Sequence, residues 1–163
     1  MHLHRLMALV GVIIGVIGLF FSGLTTDGAD VLPALSQQSD AFPDGIPTIW
    51  GGLETWAQIV LVILIIATIG LAFMGSRSET YDRNSAMTTA VIGVALVAYA
   101  IIKYLDAGDK ADTLEGGFAQ AAGAGTPGVE AWTVSPSVGF FVLMLGTVLV
   151  AAAGVLSMMG KTE

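Results

Sequence analysis

The chain lacks cysteine altogether and has little charge. Its 163 residues include no Cys, 12% charged residues and 55% hydrophobic residues. A soluble domain usually carries about 25% charged residues, so a chain this apolar cannot bury its side chains in one water-soluble core. The absence of cysteine excludes disulfides, thiolate metal sites and palmitoylation. The composition therefore predicts a single integral membrane domain.

Basic residues and histidines are also scarce. Six Lys and Arg stand against 13 Asp and Glu, which gives a formal net charge of −7. Nucleic-acid binding needs clustered basic side chains, so no nucleic-acid partner is expected. His2 and His4 are the two histidines, and with no cysteine to join them they are interpreted as a polar leader. No metal and no cofactor are predicted.

Four apolar segments have the length of membrane spans. About 20 apolar residues in a helix cover the roughly 30 Å hydrocarbon core. We predict an all-α integral membrane protein with spans at 6–24, 55–75, 87–104 and 136–159, joined by outer loops at 25–52 and 105–135 and an inner loop at 76–86. A cleaved signal peptide is the alternative for the first segment. Its 19 residues exceed the usual apolar region of about 7–15, so an uncleaved helix is expected.

The distribution of basic residues predicts the orientation. One side of the membrane would hold Arg5, Arg77, Arg83 and Lys161, and the other Lys103 and Lys110 with most of the acids. Basic residues favour the cytoplasmic side, so both termini are predicted there and both acidic loops outside, in a multi-pass protein of the cell membrane. Tryptophan is enriched at membrane interfaces, which makes Trp50, Trp56 and Trp132 candidate anchors at the outer boundary.

Small residues recur at helical spacing within the spans. Because the hydrophobic effect does not drive helices together in lipid, small side chains stabilise helix contacts by letting backbones approach closely. The candidate packing residues are Gly11, Gly15, Gly18, Ser22, Gly93, Gly139, Gly146 and Gly154. The alternative is the general glycine richness of membrane helices.

A weak internal repeat is a further hypothesis. Ile14-Gly-Val16 recurs as Ile92-Gly-Val94, and Trp50 precedes the second span as Trp132 precedes the fourth. Two tandem copies of helix, outer loop and helix would have a pseudo-twofold axis along the membrane normal. The alternative is that apolar helices resemble one another by composition alone.

No ionisable residue lies centrally in any predicted span. Proton relays and intramembrane acid–base catalysts need such residues, so an enzyme is not expected. Outside the spans, Asp106, Asp109, Asp112 and Glu115 recur every three residues. This spacing does not match a calcium-binding loop, and a solvated acidic extension of the third helix is favoured over a cation site.

These features predict a non-catalytic accessory, assembly or stabilising subunit of a larger membrane protein complex. Its partners would be integral membrane proteins and lipid, and a homo-oligomer is also compatible with the sequence. The alternatives are a small oligomeric channel or transporter, or a lipid- or quinone-handling protein. A channel needs polar residues along a pore, and the spans contain few.

Overall fold

Helices dominate the computed structural model, which describes residues 1–76 and 78–160. Three long apolar helices are α3 (Thr55–Phe73), α4 (Arg83–Gly123) and α5 (Gly139–Met159), each with the length and composition to cross a membrane. A shorter apolar helix, α1 (Leu3–Leu19), precedes them. The predicted all-helical class is confirmed. Arg77 and Lys161, which entered the orientation argument, lie outside the described residues.

Small elements connect the long helices at one end of the bundle. A 3-10 turn at Ala29–Val31 leads into the short helix α2 (Leu32–Ser36). Strands β1 (Leu24–Thr25) and β2 (Ser135–Pro136) pair antiparallel, with Leu24 opposite Pro136. This pairing ties the segment after α1 to the segment before α5.

Helix α5 packs closely against α1 through glycine. A Cβ atom placed on Gly146 would lie 2.3 Å from the backbone nitrogen of Gly15, and one placed on Gly18 would lie 2.6 Å from that of Leu143. Real Cβ contacts are much longer, so these positions hold only a glycine at this helix separation. Gly11 and Gly139 lie along the same crossing, and Cβ atoms there would also overlap neighbouring atoms.

The opposite side of α5 packs just as closely against α4. A Cβ atom on Gly154 would approach the nitrogen of Ala90 to 2.3 Å, and one on Gly93 would approach that of Ala151 to 2.3 Å. Helix α5 is therefore the central helix, with small residues facing a neighbour on each side.

Helix α3 is attached more loosely than the other long helices. It contacts α1 and, to a smaller extent, α4, and it exposes a broad apolar surface that includes Ile59, Ile63 and Ile66. In a pseudo-twofold repeat α3 would correspond to α5, yet α5 packs closely against both α1 and α4, whereas α3 contacts the same two helices only loosely. The described helices therefore do not show the symmetric packing that the repeat hypothesis describes.

Helix α4 continues beyond the predicted span 87–104 to Gly123, in line with the favoured helical extension of the acidic segment, so much of the expected outer loop 105–135 is helical. At about 1.5 Å per residue its 41 residues extend about 61 Å, twice the hydrocarbon thickness. The continuation is stabilised by a buried apolar stripe at positions spaced four, three and four residues apart. These residues are Ala107, Ala111, Leu114 and Phe118. Ala107 still packs in the main helical core, and the other three pack with α2 and Val134 in a separate core, the outer core.

The ends of the first and fourth predicted spans also differ from expectation. Helix α1 ends at Leu19 because the following backbone bonds elsewhere: Ile49 N donates to Phe21 O at 2.8 Å, and Gly23 N donates to Pro47 O at 2.8 Å. Ser22 therefore lies beyond α1, in a bridge to Thr48, and its assignment to a helix-packing face was wrong. Helix α5 begins at Gly139, not at residue 136, since the two residues of β2 are extended.

The glycine crossings predict a strong contrast between two alanine substitutions. Gly146→Ala would place a methyl group against α1 and is expected to lower the free energy of unfolding by about 1–3 kcal/mol, as overpacking usually does. Gly70→Ala is the matched control because no atom lies within 4 Å of a Cβ at this exposed position of α3. It should be neutral or slightly stabilising. Thermal unfolding in mild detergent measures both, and equal effects would contradict the close crossing.

Candidate functional site

The end of the helical bundle that adjoins the outer core is its outer end, and a cleft of about 490 Å³ lies there. One wall is the outward continuation of α4, and the other is the segment 41–53 that leads into α3. Phe140, at the start of α5, contributes to the lining between them. The size lies within the roughly 300–1,000 Å³ typical of small-molecule sites in proteins.

The α4 wall of the cleft carries charges of both signs. Residues three, four and seven apart share one face of a helix, and the lining residues Lys103, Asp106, Lys110 and Thr113 follow that spacing. Lys103 Nζ forms an ion pair with Asp106 at 3.1 Å. Lys110, four residues beyond Asp106 on the same helix, is exposed. Asp109 also lines the cleft, so its wall carries two positive and two negative charges.

The opposite wall is largely apolar and is fixed at both ends. Near its start, the Phe42 ring packs against Phe118 of the outer core with centroids 5.8 Å apart. Gly117 permits this approach, because a Cβ there would lie 3.2 Å from the Phe42 ring. Near its end, Ile49 is buried in the main helical core, and Trp50 N donates to Leu19 O at 2.8 Å. The residues between these two attachments form the apolar wall of the cleft.

A second, narrow space of about 40 Å³ lies between the four apolar helices α1, α3, α4 and α5. Ile49, Leu53 and Lys103 line both this space and the cleft, so the two adjoin. Tyr99 also lines the inner space, and its buried hydroxyl has no hydrogen-bond partner among the described residues. The combined site runs from a charged outer wall to an apolar interior.

The three predicted tryptophan anchors occupy different surroundings. Trp56 is 59% exposed on α3, as an interface anchor would be. Trp50 is partly buried against the main core, and its carbonyl oxygen accepts from Gln58 Nε2 at 3.0 Å. Trp132 packs edge-on against Phe118 with centroids 5.2 Å apart. Trp132 therefore packs in the outer core, next to Phe118, which lies about 21 Å along α4 beyond residue 104.

The acids of α4 are distributed along a helix, as the favoured interpretation predicted. Glu115 accepts a hydrogen bond from Val134 N at 2.9 Å, which fixes the segment before β2. In the part of the chain that the structure describes, no three His, Asp or Glu side chains are grouped closely enough to hold a metal ion.

At the inner end of the bundle, Arg5 has a role that sequence reasoning missed. The sequence placed it only among the basic residues that predict the orientation, yet its side chain is 2% exposed. Its guanidinium donates to the carbonyl oxygens of Ala72 at 3.1 Å, Glu79 at 3.0 Å and Thr80 at 3.3 Å. The last carbonyls of a helix lack partners and carry partial negative charge, which a cation satisfies. Arg5 of α1 therefore caps α3 and holds the chain that leads to α4.

Tyr81 completes this inner contact. The side chain is fully buried, and Arg5 Cζ lies 4.8 Å from the centre of its ring, a cation–π distance. Burial raises the pKa of the Tyr81 phenol, and the positive charge of Arg5 opposes the rise. Tyr81 is therefore neutral at physiological pH and acts here as a packed aromatic ring.

No family model, curated protein or solved structure matches this chain. The function is therefore inferred from the residues and their geometry.

The Arg5 contact predicts that lysine cannot replace arginine at this position. Lysine has one compact ammonium group and cannot reach carbonyls on both α3 and the following segment as the planar guanidinium does. Arg5→Lys is expected to lower the free energy of unfolding by about 2 kcal/mol, since hydrogen bonds to charged groups are each worth about 1.5–3. Arg83→Lys, at an exposed position, is the control. Thermal unfolding in detergent with limited proteolysis of 74–82 tests this, and equal stability of the two variants would contradict it.

Proposed function

We propose that the chain spans the membrane four times. Helix α1 is shorter than the other three, but it lies alongside α5 from Gly11 near Gly146 to Gly18 near Gly139. A helix packed along a spanning helix over this length lies at the same depth. The outward sides of all four helices expose large aliphatic residues, which lipid would cover.

The orientation proposed is cytoplasmic for both termini. Arg5 and Arg83 lie at the inner end of the bundle, while Lys103, Lys110 and most acids lie at or beyond the outer end. The positive-inside tendency then supports a cytoplasmic inner end and an outer domain, formed by α2, the end of α4 and their connections, outside the cell membrane.

We further propose that the protein is a non-catalytic accessory or assembly subunit of a larger membrane complex. The observation that carries this is the continuous 41-residue helix α4, which holds the outer domain on the membrane bundle. That domain exposes many carboxylates and few cations, a surface suited to a basic or neutral partner and unsuited to nucleic acid. Its exposed acids include Asp27, Asp30, Asp40, Asp44, Asp112 and Glu130.

The glycine faces give this proposal less support than the sequence implied. They are occupied within the chain, by contacts of α5 with α1 and α4. An integral membrane partner, or a second copy of the chain, would instead contact the exposed apolar side of α3 and the acidic outer domain.

Lipid or quinone handling is the second candidate, because the charged cleft adjoins an apolar interhelical space. The channel alternative draws no comparable support from a single chain. The space between the helices of one chain is about 40 Å³ and almost entirely apolar, so an ion would find no polar path through it.

The subunit proposal predicts a stoichiometric companion. The chain, carrying a tag, would be extracted in mild detergent and examined by native mass spectrometry. We expect one complex of fixed composition, together with a reduced level of the companion in cells that lack this chain. A lone monomer or homo-oligomer over a range of detergents would contradict the proposal.

Charge reversal locates the contact. In the double variant Asp40→Lys and Asp112→Lys, both at exposed positions, the companion should be lost or largely reduced because attraction becomes repulsion. The matched control, Asp40→Glu with Asp112→Glu, keeps the charge and should retain it. If both double variants retain the companion, the contact does not lie on this acidic surface, and the exposed side of α3 is the remaining candidate.

A further inference from the structure

We propose that the outer cleft binds one zwitterionic phospholipid of the phosphoethanolamine class. Its head group would lie against the charged wall of α4, and the upper part of an acyl chain would lie against the apolar wall and point into the bundle. This inference does not depend on the subunit role, because it concerns the cleft alone.

The charge pattern selects the head group. Lys103 and Lys110 lie two helical turns apart on the wall, with Asp106 and Asp109 between them. An ammonium group of lysine can donate to phosphate oxygens, and a carboxylate can accept from a primary ammonium. Two positive and two negative side chains balance, so a head group that carries both charges fits this wall better than a purely anionic one.

The depth of the cleft in the membrane fits the same ligand. Lys103 lies where α4 leaves the predicted span, the level at which lipid head groups meet the hydrocarbon core. Outward of this level the wall is charged, and inward of it the lining is apolar. A ligand at this boundary needs a polar head and an apolar tail.

The apolar part of the cleft provides a path for the tail. Apolar residues from three segments line the cleft: Ile46 and Pro47 of the segment 41–53, Ala107 and Leu114 of α4, and Phe140 of α5. Ile49 and Leu53 continue this surface into the inner space that Tyr99 also lines.

Native mass spectrometry of the full chain tests the proposal. The protein would be reconstituted in nanodiscs that contain equal amounts of phosphatidylethanolamine, phosphatidylcholine and phosphatidylglycerol, and then released. We expect one retained lipid, with phosphatidylethanolamine favoured over phosphatidylcholine, because the quaternary ammonium of choline cannot donate hydrogen bonds to Asp106 or Asp109. Retention of phosphatidylglycerol equal to or above that of phosphatidylethanolamine would overturn the head-group assignment.

Substitutions on the cleft wall distinguish a built site from annular lipid. Lys110→Gln and Asp109→Asn should each lower retention about tenfold, the usual effect of losing one charge-assisted contact. Asp112→Asn is the control, because it removes an exposed acid that does not line the cleft, and it should retain lipid at the wild-type level. Equal retention in all three variants would overturn the site.

A photoreactive acyl chain gives an independent readout of position. A phosphatidylethanolamine carrying the reactive group near the ester should label peptides from 41–53 and 103–114. Labelling confined to the lipid-facing surface of α3 would overturn the proposed location. The companion complex is measured separately, so failure of the lipid site and failure of the subunit role remain distinguishable.

Discussion

The close backbone contact of α5 with two neighbouring helices is the constraint on which the bundle depends. Gly146 leaves room for α1 on one side, and Gly154 leaves room for α4 on the other. In lipid the gain from removing apolar surface from water is absent, and helix association instead depends on dense van der Waals contact. A single added carbon at these positions would separate the backbones along the whole crossing. Helix α3 lacks such a crossing and is correspondingly more exposed.

Polar contacts close the two ends of this apolar bundle in different ways. At the outer end, backbone groups of 19–23 pair with 47–50, and β1 pairs with β2. At the inner end, Arg5 supplies donors to carbonyls at and beyond the end of α3. Non-helical backbone near a membrane must find partners within the protein, because hydrocarbon provides none. Each set of polar contacts joins segments that are far apart in the sequence. These contacts therefore fix the arrangement of helices that the close glycine crossings allow.

Sequence patterns were sufficient for the helical class and for the approximate positions of the apolar helices. They failed where long-range contacts decide the outcome. The backbone pairing that ends α1 before Ser22 depends on 47–50, which no local pattern reveals. Arg5 resembled an ordinary basic leader because its carbonyl partners lie more than 65 residues away. The extension of α4 was different: its acidic start was predicted as helix, but the acids and glycines among Ala107, Ala111, Leu114 and Phe118 obscured the apolar periodicity that continues it to Gly123. The cleft depends on the packing of 41–53 over α4, and its existence therefore required the three-dimensional structure.

The outer cleft stays open because both of its walls are held from outside it. The rigid helix α4 forms one wall, and Phe42 and Ile49 anchor the other through separate cores. Pro43 and Pro47 stiffen the segment between these anchors, since proline fixes its own backbone angle and restricts the residue before it. The segment is therefore prevented from collapsing onto α4 to bury the apolar lining. Leaving such a lining in water costs about 25 cal/mol for each Å² exposed, and an amphiphile at the membrane boundary removes that cost without moving either wall. The same anchors that build the outer domain thus keep the cleft at its base open, as the proposed lipid site requires.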